Sequence, residues 1–147
     1  MQMLAADIQA FPRFARYVSI SIPRDIIHND FIVNNIQHFA GTIGLATIRN
    51  ALRWGHGPMI KITQLGSTDG EFSPGIGSNE IRIDIDRVRA FENGGGRGRT
   101  GHGRMVFMVG VILLHELTHW ADDQDGVDTP GEEGWDFEQA VYGGVTG

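Results

Sequence analysis

The sequence of 147 residues contains no cysteine, which excludes disulfide bonds, thiolate metal ligands and cysteine nucleophiles. Basic residues are also scarce, because 12 lysines and arginines stand against 18 acidic residues and give a net charge of -6 at pH 7. Nucleic acids and anionic membranes call for clustered positive charge, so neither is an expected partner. The one basic cluster, GRGRTGHGR at Gly96–Arg104, is rich in glycine, which predicts a solvent-exposed loop.

Long hydrophobic runs are absent as well. The most apolar stretch, Met105–Leu114, is about ten residues long, whereas a helix that spans a bilayer needs about twenty. The N-terminal residues lack the basic and apolar regions of a signal peptide. We therefore expect no membrane insertion and no export signal in the chain itself. Its length and its hydrophobic content of 41% predict a single domain, residues 1–147.

The spacing of apolar residues changes along the chain. Up to about Trp54 the intervals are helical, whereas Met59–Leu65 and Glu80–Asp86 alternate apolar with polar residues. The alternation predicts two antiparallel strands joined by a long loop. Helical spacing then resumes and stops at Gly94, which predicts a short helix capped by Asp86.

Two helices are expected in the C-terminal third. Arg104–Asp123 is apolar through its first half and predicts a buried central helix. Pro130–Tyr142 predicts the second helix, with a capping box of Thr129 and Glu132 at its start and Gly143 at its end. The expected class is α+β, in which N-terminal helices and a small antiparallel sheet pack on the central helix.

The central helix carries the motif HELTH. His115 and His119 are four residues apart, so their imidazoles lie on one face and can bind one metal ion. Imidazole is the usual nitrogen ligand of zinc, and a catalytic zinc site has three protein ligands and one water. Glu116 then lies beside the open side of the metal, where it can take a proton from water. The motif predicts zinc-dependent hydrolysis of an amide bond.

Three carboxylates are candidates for the third ligand. Glu138 lies in the middle of the last helix, and Gly134, one turn earlier, would allow that helix to approach the central helix closely. Asp125 has the spacing of the HExxHxxGxx[H/D] enzymes, but Asp122 replaces the glycine that their turn needs. Glu133 lies in a first helical turn, where the helix dipole favours a carboxylate without a metal. We expect Glu138 to be the ligand, and Asp125 and Glu133 remain the alternatives.

The motif resembles that of the gluzincin peptidases such as thermolysin. HELTH is the same pentapeptide, and GWDFEQAVYG is similar to the Gly-x-x-x-Glu helix of that family at nearly the same distance. The resemblance implies a zincin-like fold with His115, His119 and Glu138 as ligands and Glu116 as general base and acid. Tyr142 stands where the family has an aspartate that orients the first histidine, so that role has no candidate.

The last 65 residues or so also resemble the small metallopeptidase domains at the C-termini of bacterial polymorphic toxins. The resemblance rests on HELTHWADDQDG followed by GEEGWDFEQAVYG, and on IRIDIDRVRAFE before them. It implies a secreted effector that hydrolyses protein or peptide substrates inside a target cell, with a cognate immunity protein as partner. A regulatory cytoplasmic zinc peptidase and a protein with a structural zinc ion are the alternatives.

Two further expectations concern the substrate. Tyr142, His102 and Arg104 are chemically able to stabilise an oxyanion, and the sequence does not distinguish between them. The strand Glu80–Asp86 is expected to lie along the cleft with a free edge to which an extended peptide can pair.

Overall fold

The N-terminal third of the chain is helical, as predicted. We describe residues 1–75, 78–126 and 132–146 of a computed structural model. The helices of this third are α1 (Ala5–Ala10), α2 (Pro12–Arg16), a π-helical turn (Tyr17–Ser21), α3 (Ile22–Ile26), α4 (Asp30–Ala40) and α5 (Leu45–Leu52). The side chain of Asn29 accepts a hydrogen bond from the N–H of Ile32 and caps α4, whose apolar face is buried in the core.

A four-stranded sheet follows the order β1-β2-β4-β3, with β1 (Gln2–Met3), β2 (Met59–Thr63), β3 (Gly70–Glu71) and β4 (Glu80–Asp84). The α+β class is confirmed, but the antiparallel pairing expected for the two long strands is wrong. β2 and β4 are parallel, with Ile60 opposite Ile81 and Ile62 opposite Ile83. The polypeptide that joins them crosses to the far side of β4 and forms β3, which is antiparallel to β4.

This topology also corrects the expected free edge. β4 is hydrogen-bonded to β2 on one side and to β3 on the other, so it is an interior strand. The two end strands of the sheet are β1 and β3, and β3 is the one next to β4. A proline in β4 would therefore disrupt the interior of the sheet, and β3 already occupies the edge of β4 at Arg82 and Ile83.

The glycine-rich basic segment, expected to be a loop, forms β-structure instead. β5 (Arg97–Thr100) pairs with β6 (Met105–Phe107) and with β7 (Val145–Thr146), both antiparallel. A Cβ atom at Gly98 would overlap the side chains of Met108 and Val145. Glycine in this strand therefore permits close packing rather than flexibility.

The central helix α7 (Met108–Asp123) begins four residues later than predicted, because Met105–Phe107 forms β6. Most of α7 is buried between the four-stranded sheet, α4 and the last helix, α8 (Glu133–Tyr142). α8 ends at Gly143 as predicted, with a left-handed φ of 67°. The predicted cap residues Thr129 and Pro130 lie outside the described residues. None of the helices described is long and apolar enough to cross a membrane.

Asp84, rather than Asp86, caps α6 (Ile85–Glu92). Strand β4 ends at Asp84, whose carboxylate accepts hydrogen bonds from the N–H of Leu65 at 2.8 Å and of Asp86 at 3.0 Å. The bond from Leu65, together with that from Asp86, holds the pKa of the Asp84 carboxyl below its usual value against the opposing effect of burial. One side chain thus fixes both the start of α6 and the loop after β2.

We expect Asp84→Ala to lower the free energy of unfolding by about 2 kcal/mol near neutral pH, because it removes a helix cap and leaves the N–H of Leu65 without its acceptor. Denaturant unfolding measures the change. Because the folded pKa is lowered, the contribution of the charge is present above about pH 4 and is lost as the pH falls through the folded pKa. The difference from Asp84→Asn should therefore shrink below about pH 4. Equal stability of wild type and Asp84→Ala would contradict the capping role.

Candidate metal centre

Helix α7 brings three polar side chains of the HELTH motif to one side of the core. The side chains of His115 and His119 are 18% and 21% exposed, whereas that of Glu116 is only 8% exposed. Thr118 is fully buried, and its hydroxyl donates to the carbonyl of Leu114 within the same helix. The histidines therefore face an opening, while the threonine between them is satisfied by the backbone.

The two imidazoles meet through their Nε2 atoms, which lie 3.3 Å apart. An oxygen of Glu132, the residue that precedes α8, approaches both of them: Glu132 Oε1 is 2.7 Å from His119 Nε2 and 3.4 Å from His115 Nε2. Within the described residues, these three side chains form a group that could hold a metal ion. Their ligand atoms all lie within 4.8 Å of one another.

The opposite nitrogen of each imidazole contacts a carboxylate of α8. His115 Nδ1 lies 2.5 Å from Glu138 Oε1, and His119 Nδ1 lies 3.1 Å from Glu133 Oε2. Burial alone lowers the pKa of His115, but the hydrogen bond to Glu138 and the charges of Glu116, Glu138 and Glu132 raise it above its ordinary value. Each ring is therefore oriented by its own acidic partner.

These contacts fit a divalent cation. In the tautomer whose Nδ1 donates to the neighbouring carboxylate, the Nε2 of a neutral imidazole presents a lone pair. Two lone pairs and a carboxylate oxygen then face one another at 2.7 to 3.4 Å. A proton can bridge only two of these three atoms. A divalent metal ion can bind both nitrogens and the carboxylate oxygen at once.

Gly134 makes the approach of α8 to α7 possible. A Cβ atom at this position would overlap the imidazole of His115 at Cγ, Cδ2 and Nε2. Gly134 is buried, and α8 packs along α7 from this point. The sequence predicted a close approach at Gly134, and the structure places the ring of His115 directly against it.

The candidate ligands fall into distinct places. Glu138 contacts the outer nitrogen of His115 rather than the space between the histidines, and Glu133 does the same for His119. Asp125 is exposed and accepts a hydrogen bond from Thr42 at 2.8 Å. The residue that reaches the Nε2 atoms, Glu132, was considered from the sequence only as part of a capping box. Its position is the N-cap of α8, where its side chain makes no capping bond.

Glu116 lies beneath the edge strand. Its Oε1 is 4.0 Å from His115 Nε2, and a Cβ atom at Gly70 of β3 would come within 2.8 Å of Glu116 Oε1. Burial raises the pKa of Glu116 to about 7, although the charges of the two histidines oppose the rise. A carboxyl group whose pKa is near neutral can both accept and donate a proton.

The residues of the centre line an open cleft of about 440 Å³. One wall is the end of α7 and the start of α8, and the other is β3 with Phe72 and Pro74. The three candidates for oxyanion stabilisation lie elsewhere, because Tyr142, His102 and Arg104 line a separate cavity of about 350 Å³. None of these three is among the described residues that line the cleft.

Comparison with protein-family models identifies a family for this chain. A family model described as metallopeptidase toxin 3 matches residues 7–143. No curated protein and no solved structure matches the chain. The match includes the N-terminal helices, for which the sequence had indicated no relative.

Proposed function

The chain belongs to the metallopeptidase toxin 3 family and is a metallopeptidase, and from this premise we propose that it is a zinc-dependent endopeptidase that acts in competition between bacteria. The observation that carries the proposal is the convergence of two imidazole Nε2 atoms and a carboxylate oxygen, with a buried glutamate beside them. A peptidase acts on protein or peptide substrates, so the substrate is a polypeptide of the target cell.

We assign the metal to His115, His119 and Glu132. Two imidazoles and one carboxylate form a ligand set typical of catalytic zinc, which keeps a fourth position for water or substrate. When bound there, zinc supplies a Lewis acid that polarises the scissile carbonyl and makes water a stronger acid. This assignment replaces Glu138, the ligand expected from the sequence, because the carboxylate of Glu138 contacts Nδ1 and not Nε2 of His115.

Glu116 performs the proton transfers. Its carboxylate takes a proton from the attacking water and then gives it to the nitrogen of the leaving amine. Burial beneath Gly70 keeps the carboxyl away from bulk solvent and raises its pKa, whereas the positive charge of a bound metal ion would favour the carboxylate form that accepts the proton.

Glu138 and Glu133 act as positioning residues. Each holds the protonated Nδ1 of one histidine, which fixes the tautomer and the direction of the Nε2 lone pair. Glu138 thereby fills the role of the aspartate that gluzincins place one turn further on, where this chain has Tyr142. Both carboxylates come from α8, so the orientation of the histidines depends on the docking of that helix.

The ligand assignment predicts different zinc affinities for two alanine variants. We expect Glu132→Ala to weaken zinc binding more than Glu138→Ala, whose loss should stay within about 10- to 100-fold because it removes only an orienting partner. Competition with a chromophoric chelator measures both affinities, and Asp136→Ala, exposed on the same helix, is the control. A greater loss in Glu138→Ala than in Glu132→Ala would make Glu138 the third ligand.

Substrate would lie along β3. This strand ends the sheet and lines the cleft beside Glu116, so an extended peptide can pair with its outer edge through main-chain hydrogen bonds. Pairing of this kind holds the main chain regardless of sequence, and leaves selectivity to the pockets on either side. The free edge is therefore β3, one strand beyond the strand that the sequence indicated.

The family supports an effector that is delivered to target cells. We propose that a larger secreted protein carries the domain there and that the producing cell protects itself with a cognate immunity protein. The alternative, a regulatory peptidase with one cytoplasmic substrate, predicts no general toxicity.

The test is expression of the domain in a bacterial host, directed either to the cytoplasm or to the periplasm. We expect growth to stop in at least one compartment with the wild-type domain and to continue with Glu116→Gln, because toxicity requires hydrolysis. Immunoblots confirm equal expression. Normal growth in both compartments would reject the toxin and favour the regulatory peptidase.

A further inference from the structure

We propose that the cleft selects a substrate with a lysine or arginine side chain close to the cleaved bond, and that Asp123 and Glu133 bind this side chain. The inference rests on the proposed peptidase function and specifies its substrate class. It follows from the charge of the cleft, from one unsatisfied buried oxygen and from the position of Asp123 relative to His119.

The cleft is strongly acidic. Its described lining contains no lysine or arginine but six carboxylates: Glu71, Glu116, Asp122, Asp123, Glu132 and Glu133. Glu71 is paired with Arg82 at 2.9 Å, and Arg82 lies outside the lining. The two positive charges of a bound zinc ion would be offset by Glu132 and Glu116. Asp123 and Glu133 therefore add negative charge to the cleft beyond the proposed metal site.

Glu133 provides the second observation. The residue is 5% exposed, and while its Oε2 contacts His119, its Oε1 is buried and has no hydrogen-bond partner among the described residues. A buried carboxylate oxygen without a donor is energetically costly. Because Glu133 lines the cleft, a cationic group that enters from the cleft can supply the missing donor.

Asp123 lines the same cleft as Glu133. It follows His119 by four residues on α7, so it projects from the same face one helical turn further along. Glu133 contacts the ring of that same His119. The two carboxylates therefore flank one end of the cleft, beyond His119. A lysine or arginine side chain is long enough to reach that end from a peptide paired along β3.

The experiment uses peptide pools in which one of six positions is fixed as lysine, norleucine or glutamate. Cleavage is measured with the zinc-loaded wild-type protein, and binding is measured by calorimetry with zinc-loaded Glu116→Gln. We expect lysine at one position to exceed norleucine by about tenfold in both measurements, the ratio typical of one hydrogen bond between charged groups. Glutamate at that position should be the least favourable.

Two substitutions of equal charge test the residues. Asp123→Asn should remove most of the lysine preference, whereas Asp136→Asn, exposed on α8 and outside the cleft, should retain it. For each variant, cleavage and binding of the lysine peptides are compared with those of the norleucine peptides. The norleucine side chain is uncharged and does not depend on the carboxylate. A lysine preference that is unchanged in Asp123→Asn would overturn the assignment of that residue.

The outcomes separate this inference from the proposed function. Hydrolysis without lysine preference at any position would reject the inference and retain the peptidase. Lysine-selective binding that depends on Asp123, without hydrolysis by the wild type, would retain the inference and reject the peptidase. The absence of both selective binding and hydrolysis would reject both.

Discussion

Replacing Glu116 with glutamine is expected to lower kcat/KM for a peptide substrate by at least about a hundredfold, because glutamine cannot accept the proton of the attacking water. Glutamine has nearly the same size, so it fits beneath Gly70 and preserves the packing around the base. Zinc content should be unchanged, since Glu116 is not a ligand in the proposed site.

Elemental analysis and single-turnover assays of the two proteins provide the measurement. A protein that loses both zinc and activity would instead place Glu116 among the ligands. Full activity of Glu116→Gln would remove it as the base and leave the burial of this carboxylate without a catalytic explanation.

The second large effect is expected for Gly134→Ala. Gly134 lies in the first turn of α8, and the methyl group of an alanine there would overlap the imidazole of His115. Either the ring or α8 must move, and in both cases the Nε2 atom loses its alignment with His119 and Glu132. We expect zinc affinity to fall by about 10- to 100-fold, which is the usual loss when a residue that orients a metal ligand is changed.

The affinity is measured by chelator competition, with circular dichroism as a check on folding. Gly44→Ala is the matched control, because it adds the same methyl group where nothing lies within 4 Å of the new atom. Unchanged zinc affinity in Gly134→Ala would mean that the contact with His115 does not position the ligand.

The sequence was informative where chemistry depends on spacing within one element. His115 and His119 converge because any helix places residues four apart on one face, and the buried α7 follows from its apolar composition. The close approach at Gly134 was predicted for the same reason. These features need only the geometry of a single helix and the size of a missing side chain.

Relations between elements were harder to predict. Alternating residues in β2 and β4 look the same whether the strands run parallel or antiparallel, and nothing in the pattern indicated that β3 would return along β4. The glycines of β5 suggested a loop, yet Gly98 is required by the packing of Met108 against the strand. Such contacts become visible only after the elements are assembled.

The assignment of glutamates within the centre illustrates the same limit. Glu132, Glu133 and Glu138 all reach the two histidines, and sequence spacing alone does not tell which nitrogen of each ring a carboxylate meets. A one-residue difference at the start of α8 separates a contact at Nε2 from a contact at Nδ1. The distinction between ligand and positioning residue lies in side-chain direction, which the sequence does not encode directly.

In the proposed site, a metal ion would cross-link two helices. α7 contributes both histidines, while Glu132 precedes α8 and the two orienting carboxylates belong to it. A ligand that binds only the folded state stabilises it by mass action, so each tenfold excess of free zinc over its dissociation constant adds about 1.4 kcal/mol to the free energy of unfolding. If the proposed site binds zinc, we expect the thermal stability of this peptidase to rise with the concentration of free zinc. Without the metal we expect the docking of α8 to weaken, so that catalytic activity and resistance to proteolysis would decline together.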